Sequence, residues 1–236
     1  MTNHIRRPTD AEVLSSQELE ALRRFCSPTI ANAVETFNVR SNLEGVTDTR
    51  IHCLYPALGP LVGYACTATI ISSERPPEKR RVSRRDYWEH LRTFPAPRLT
   101  VVQDLSSPPG GAYWGEVNST MHKALGSQGV ITDGTVRDLD EVERLGFHFF
   151  ASAVQVSHGY AHLEDFNQTV TVFGMQVHPG DLIHADKHGA VVIPHEIARE
   201  VAKAAQEFEL NEKPILAACK LDNPIDELDR LVAPGY

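Results

Sequence analysis

Gly129-Val130-Ile131-Thr132-Asp133-Gly134-Thr135-Val136-Arg137-Asp138-Leu139 joins an apolar run, an Asp-Gly pair and an Arg-Asp pair. The run 129–132 predicts a buried strand, and Asp133-Gly134 reads as a turn signal. Leu139, Val142 and Leu145 fall at i, i+3 and i+6, which predicts a short helix after it. Strand, turn and helix in succession imply a mixed α/β core.

The same rhythm extends to both sides. Upstream, Gly115-Glu116 opens a helix predicted over 116–125, and 99–103 reads as a strand. The turn Gly59-Pro60 precedes a strand over 61–71 of alternating small or β-branched and apolar residues. Ser27-Pro28 predicts a helix start, with serine capping and proline at the first helical position, running to about residue 37. Downstream, a strand is predicted near 147–151. Three shorter ones, 169–173, 181–184 and 190–193, are separated by Gly174, Pro179-Gly180 and Gly189, a spacing that predicts antiparallel structure. Residues 74–98 read as a loop plus one surface helix carrying Tyr87, Trp88 and Leu91. Ile197, Val201, Ala204, Ala205 and Phe208 share one helical face, and Pro214 is expected to interrupt that helix before a tail helix at 215–220. With no internal repeat, the reading is one domain over 1–236, with an N-terminal helical segment (about 1–40) and C-terminal helices (about 195–233).

Composition narrows the function classes. The 236 residues are 42% hydrophobic, and 23 Lys plus Arg face 31 Asp plus Glu for a formal charge of -8. A negative chain has no general attraction for nucleic acid or anionic lipid, so neither partner is expected. Cys26, Cys53, Cys66 and Cys219 are scattered, form no Cys-x-x-Cys pair, and read as reduced, mostly buried thiols. The polar, basic start 1–10 is followed by no apolar segment long enough to span a membrane, so a cytoplasmic location is expected.

Twenty residues separate Gly115-Glu116 from Arg137-Asp138. Asp138, Glu116 and Glu141 suit a hard divalent cation such as Mg²⁺ or Mn²⁺, commonly held by one or two carboxylates plus water. Arg137 offers a planar fork for a carboxylate or a developing enolate oxygen, and the helix start after Gly115 offers free N–H groups. Asp138-Leu139-Asp140-Glu141 also has the form of a capping box, in which Arg137 is only a surface ion-pair partner. Spacing alone leaves both readings open.

Longer stretches carry a resemblance. Residues 27–33 (Ser-Pro-Thr-Ile-Ala-Asn-Ala), 59–65 (Gly-Pro-Leu-Val-Gly-Tyr-Ala), 177–181 (Val-His-Pro-Gly-Asp) and 186–194 (Asp-Lys-His-Gly-Ala-Val-Val-Ile-Pro), with the Glu116 to Arg137-Asp138 spacing, resemble two related groups. These are the class II pyruvate aldolases that cleave 4-hydroxy-4-methyl-2-oxoglutarate, and the wider family named for the regulator of ribonuclease E activity A. The resemblance implies a single-domain α/β/β sandwich resembling the swivelling phosphohistidine-domain fold. It implies a homotrimer or homohexamer with the site between subunits. Asp138 would hold the metal directly, with Glu116, Glu141 and Glu212 acting through water, Glu212 coming from a neighbouring subunit. Glu116 would transfer protons, Arg137 would bind the keto-acid oxygens, and the amides of Gly115, Val117 and Asn118 the substrate carboxylate. The activity implied is metal-dependent cleavage of a 2-oxo acid to release pyruvate, including decarboxylation of oxaloacetate. The alternatives are a non-catalytic ribonuclease regulator, or another metal-enolate enzyme such as a hydratase or hydrolase. Glu116 stands where the aldolases carry aspartate, and the 74–98 insert with Tyr113 and Trp114 implies a differently shaped pocket.

Other patterns are weaker. His158-x-x-x-His162 has helical ligand spacing, but Gly159 and Tyr160 disfavour a helix there; His158, following a strand end, is instead a candidate to line the pocket. His184-x-x-x-His188 flanks Asp186 across a strand end and a turn, a poor frame for zinc. The basic run Lys79-Arg80-Arg81 with Arg84-Arg85 reads as a solvated face among Glu78, Asp86 and Glu89.

Overall fold

A computed structural model describes residues 8–79 and 81–232. The start 1–7 and Arg80 of the basic run therefore lie outside the described residues. The helices are α1 (Ser16–Arg23), α2 (Ser27–Glu35), α3 (Arg84–Leu91), α4 (Glu116–Ala124), α5 (Leu139–Leu145), α6 (Ala198–Ala218) and α7 (Ile225–Leu231). The strands are β1 (His52–Cys53), β2 (Leu61–Ile71), β3 (Arg98–Asp104), β4 (Ser127–Val136), β5 (His148–Val154), β6 (His162–Phe166), β7 (Val170–Val172), β8 (Met175–Val177), β9 (Leu182–Asp186) and β10 (Gly189–Ile193).

Strand β2 organises the sheet. Ten of its eleven residues are buried, as a strand covered on both faces requires. Along one edge it pairs in parallel with β3, which continues in parallel to β4 and β5. Along the other, Leu61–Tyr64 pairs antiparallel with β9, and Ala68–Ile71 antiparallel with β6. The outer strands are β1 and β10. The chain between them links both, since Val46 bridges Val191 and Cys53 faces Phe150, so the sheet is nearly closed and its edges are covered.

Helices pack one face and the β7–β8 hairpin the other, an α/β/β order. Tyr87, Leu91, Trp114, Val142 and Phe149 fill the layer beneath α3, α4 and α5. Val101, Ile131, Phe150, Met175 and Val177 fill the layer beneath the hairpin. Leu22, Ile30, Val201 and Ile193 join α1, α2 and α6 to the sheet's end. Burying each such side chain contributes about 1.5–3 kcal/mol.

Several expectations are corrected. Ser27 does not cap α2: Cys26 holds the cap position, and the Ser27 hydroxyl meets His184 Nδ1 at 2.9 Å instead. Asp133-Gly134 is no turn; β4 runs through it, and a register shift between Thr132 and Thr135 absorbs the extra residue as a bulge. Pro214 does not break α6, which is continuous to Ala218. The hydrogen bond lost to proline is the one to the carbonyl of Leu210, a residue on an exposed turn where its loss costs little. Of the four thiols only Cys66 is buried; Cys219 is exposed.

No helix among the described residues is long and apolar enough to cross a membrane.

Candidate active site

Where β4 ends, Arg137 and Asp138 turn the chain into α5. The Arg137 N–H donates to the Trp114 carbonyl at 2.9 Å, tying this turn to the segment that opens α4. Asp138 has φ 57° and ψ 50°, the left-handed region that non-glycine residues seldom occupy. Its carboxylate does not cap α5. Oδ2 accepts the backbone N–H of Glu116 at 3.0 Å, at the start of α4. Glu141 does not close a capping box either, and its carboxylate sits 3.2 Å from Arg144.

Gly115 makes this approach feasible. A Cβ there would lie 2.4 Å from Asp138 Oδ2, too close for any side chain. The next residue back, Trp114, is fully buried, stacked on Phe147 at 5.9 Å and against the His122 ring at 4.5 Å. His122 Nδ1 donates to the Asn118 carbonyl at 2.7 Å, which leaves Nε2 to accept from Tyr87 OH at 3.1 Å. Burial pushes the His122 pKa down to about 4, so the ring stays neutral and holds α4 against α3.

A cleft of about 270 Å³ opens above this frame. Gly115, Val117, Asn118, Arg137 and Asp138 line it together, so five residues selected from sequence share one wall. Arg137 Nε is 3.7 Å from Asp138 Oδ2, and both side chains are about one-third exposed. Among the described residues the N–H groups of Gly115, Val117 and Asn118 have no acceptor, as the first turn of a helix leaves them. Glu116 contributes its backbone and projects an exposed side chain at the helix start. The side chains of Glu116, Glu141 and Glu212 are not among those that line the cleft; Glu116 lies next to it at the start of α4 and Glu212 on α6.

The rest of the lining is legible in part: Tyr113 and His158 are pocket candidates from sequence, Arg84 is not. Arg84, the first residue of α3, and His158 both face the cleft, with Tyr113 and Met121. By sequence Arg84 belongs to a solvated basic run, and its neighbours keep that role: Arg81 lies 3.6 Å from Glu164 and Arg85 2.8 Å from Glu89. The signals available are the helix-capping Ser83 beside the cationic run and the place of Arg84 within the 74–98 insert. His158 is held by close backbone contact, since a Cβ on Gly111 would lie 2.3 Å from the His158 carbonyl carbon. His162 does not join it: its ring is turned to the Tyr160 carbonyl at 2.8 Å in β6.

One carboxylate, two guanidiniums and three open amides come together here, groups whose chemistry suits an anion and one hard cation. Among the described residues Asp138 Oδ1 takes no hydrogen bond, which leaves it for a hard cation that otherwise keeps water ligands.

The sequence pattern described as RraA-like, Aldolase/RraA, matches residues 27–192, well over half of the chain. The chain belongs to the RraA-like family. Among curated relatives of this RraA-like protein, an uncharacterized protein of Methanocaldococcus jannaschii is 35% identical over 105 residues, 44% of this chain and 50% of that one. A protein of Halalkalibacterium halodurans, provisionally named a 4-hydroxy-4-methyl-2-oxoglutarate aldolase, is 26% identical over 50% of this chain and 57% of its own. The chain thus spans about half the length of these relatives. Two solved structures share the fold. An uncharacterized protein from Pseudomonas syringae superposes with TM-score 0.71 over 95% of this chain and 98% of its own at 20% identity. Streptomyces coelicolor RraAS2, described as an unusual member of the RNase ES inhibitor RraA family, gives 0.66 over 85% and 96% at 22% identity.

Proposed function

We propose that this RraA-like protein is a divalent-metal-dependent lyase that cleaves a C–C bond of a 2-oxo dicarboxylic acid to release pyruvate. The observation carrying this reading is the Asp138 carboxylate, drawn out of its capping role into the cleft beside Arg137. The provisional aldolase name of the Halalkalibacterium relative points the same way.

Asp138 would hold Mg²⁺ or Mn²⁺ through Oδ1, and the bound ion would act as a Lewis acid toward the keto acid. The chain's own groups do the rest. Arg137 pairs with the keto-acid oxygens and favours the charge that develops there as the bond between C3 and C4 breaks. The amides of Gly115, Val117 and Asn118 hold the C1 carboxylate at the start of α4. Arg84, across the cleft, suits the second carboxylate of a dicarboxylic substrate. Glu116, exposed at the start of α4 between the lining residues Gly115 and Val117, would move the proton to or from the C4 oxygen or the carbanion carbon. If C4 is itself a carboxylate carbon, the same electron flow is decarboxylation.

The subunit that lends Glu212 to this cleft belongs to the same proposal, as a trimer or hexamer. The rival reading is a surface that binds a ribonuclease without catalysis; it predicts that partner binding survives Asp138→Ala and chelation. Coupled detection of pyruvate from oxaloacetate and from 4-hydroxy-4-methyl-2-oxoglutarate, with Mg²⁺, Mn²⁺ or EDTA, separates them. The lyase releases pyruvate with metal and stops with EDTA; silence in every arm removes the assignment.

A further inference from the structure

A second set of metal-ligating side chains lies at the sheet end where β2 begins, away from the end where Arg137 leaves β4. There the β9–β10 turn, Asp186 to Gly189, meets the start of α2. The Sγ of Cys26, a carboxylate oxygen of Asp186 and a ring nitrogen of His188 all lie within 4.8 Å of one another. Sequence spacing pairs His188 with His184. In the fold His184 is committed to Ser27, and His188 turns to Asp186, with Nδ1 3.1 and 3.2 Å from its two oxygens.

We propose that Cys26, Asp186 and His188 form a site for a borderline-soft divalent transition metal, zinc foremost, independent of the Asp138 cleft. The donor set carries the choice of ion. A thiolate and an imidazole select zinc over Mg²⁺ or Ca²⁺, and three protein ligands with one open position match zinc's four-coordinate habit. The 4.8 Å limit on ligand separations needs only small side-chain rotations to reach zinc bond lengths of about 2.0–2.3 Å.

The scaffold around these atoms is fixed. The Asp186 carboxylate is 6% exposed and accepts the N–H groups of Ser27 at 3.0 Å and His188 at 2.8 Å. Those bonds leave lone pairs on both oxygens for a metal. Although burial raises the Asp186 carboxyl, the bonds from His188 and Ser27 outweigh it, and the group stays ionised. The His188 side chain is 43% exposed and lines a cleft with Ser27, Thr47 and Ala190, so this ligand is reached from solvent, whereas Cys26 and Asp186 do not line it. The thiol gives up its proton on binding, so thiolate and carboxylate together neutralise a divalent ion and affinity rises with pH.

The test uses the full chain stripped of metal, titrated with Zn²⁺ against a chromophoric chelator and separately with Co²⁺. Asp138→Asn and Cys219→Ser serve as backgrounds that remove the first site and the exposed thiol. The proposal predicts one ion per chain and a near-ultraviolet thiolate-to-cobalt absorption band that persists in both backgrounds. It predicts at least tenfold weaker Zn²⁺ binding in Cys26→Ser and in His188→Gln, with thermal unfolding of the metal-free variants showing that each still folds. A missing cobalt band in the wild type, or Zn²⁺ bound equally well by Cys26→Ser, overturns the site. Neither result bears on pyruvate release at Asp138.

Discussion

The Asp138 carboxylate and the Glu116 backbone N–H, 22 residues apart, are joined by a 3.0 Å hydrogen bond that fixes the β4–α5 turn over the start of α4. The bond satisfies one orphan donor of α4 and keeps a carboxylate in the cleft although its residue sits in the left-handed region.

Replacing that residue should separate stability from activity. Asp138→Gly removes a backbone penalty of about 1–2 kcal/mol while losing one hydrogen bond of similar size, so the melting temperature should move by only a few degrees. Pyruvate release should fall by orders of magnitude. Thermal unfolding and the pyruvate assay on one preparation check both.

Gly115→Ala should act on the same bond from the other side. The added Cβ, 2.4 Å from Oδ2, forces Asp138 away from Glu116. The expected outcome is a folded protein with kcat/KM lowered at least tenfold, equivalent to about 1.4 kcal/mol of transition-state stabilisation. Unchanged kcat/KM would show that the position of Asp138 does not matter.

Much of this frame was legible. β2 ran over its predicted length because an unbroken apolar and β-branched run admits few alternatives, and the Gly115 to Asp138 wall followed from residue type and resemblance. The conformation of Asp138 was not legible, because Asp-Leu-Asp-Glu satisfies a local capping pattern and only the N–H of Glu116, distant in sequence at the start of α4, outcompetes it. Arg84 was hidden for a similar reason, whereas His158, following a strand end, was a pocket candidate from sequence. The place of Arg84 depends on how α3 packs, not on its neighbours in sequence.

Three buried histidines set an acid limit. Burial pushes His122, His148 and His184 each down to about 4. A depressed histidine stabilises the fold above its unfolded value of about 6.5, and that contribution, about 3 kcal/mol each at most, is lost as pH falls toward 4. Urea midpoints should drop steeply between pH 6.5 and 4, and His122→Gln should flatten part of that slope.

Asp133 works in the opposite direction. Its carboxyl is raised to about 6, first by burial, while its Oδ1 accepts the Asp104 N–H at 2.7 Å. The protonated form favours the fold, so the contribution is complete below about pH 4 and is lost as pH rises through 6. Asp133→Asn keeps the acceptor and removes the charge. It should stabilise the protein at pH 7.5 by up to about 2–3 kcal/mol and have little effect at pH 4, as paired urea titrations would show.

The central claim is that Arg137 and Asp138 perform metal-dependent 2-oxo acid cleavage. Its most direct test is kcat/KM for pyruvate release from oxaloacetate and 4-hydroxy-4-methyl-2-oxoglutarate, for wild type, Arg137→Ala and Asp138→Asn with Mn²⁺. The wild type should turn over at least one substrate, and each variant should lose two or more orders of magnitude while remaining folded. Wild-type turnover retained by both variants, or none with either substrate, would contradict it.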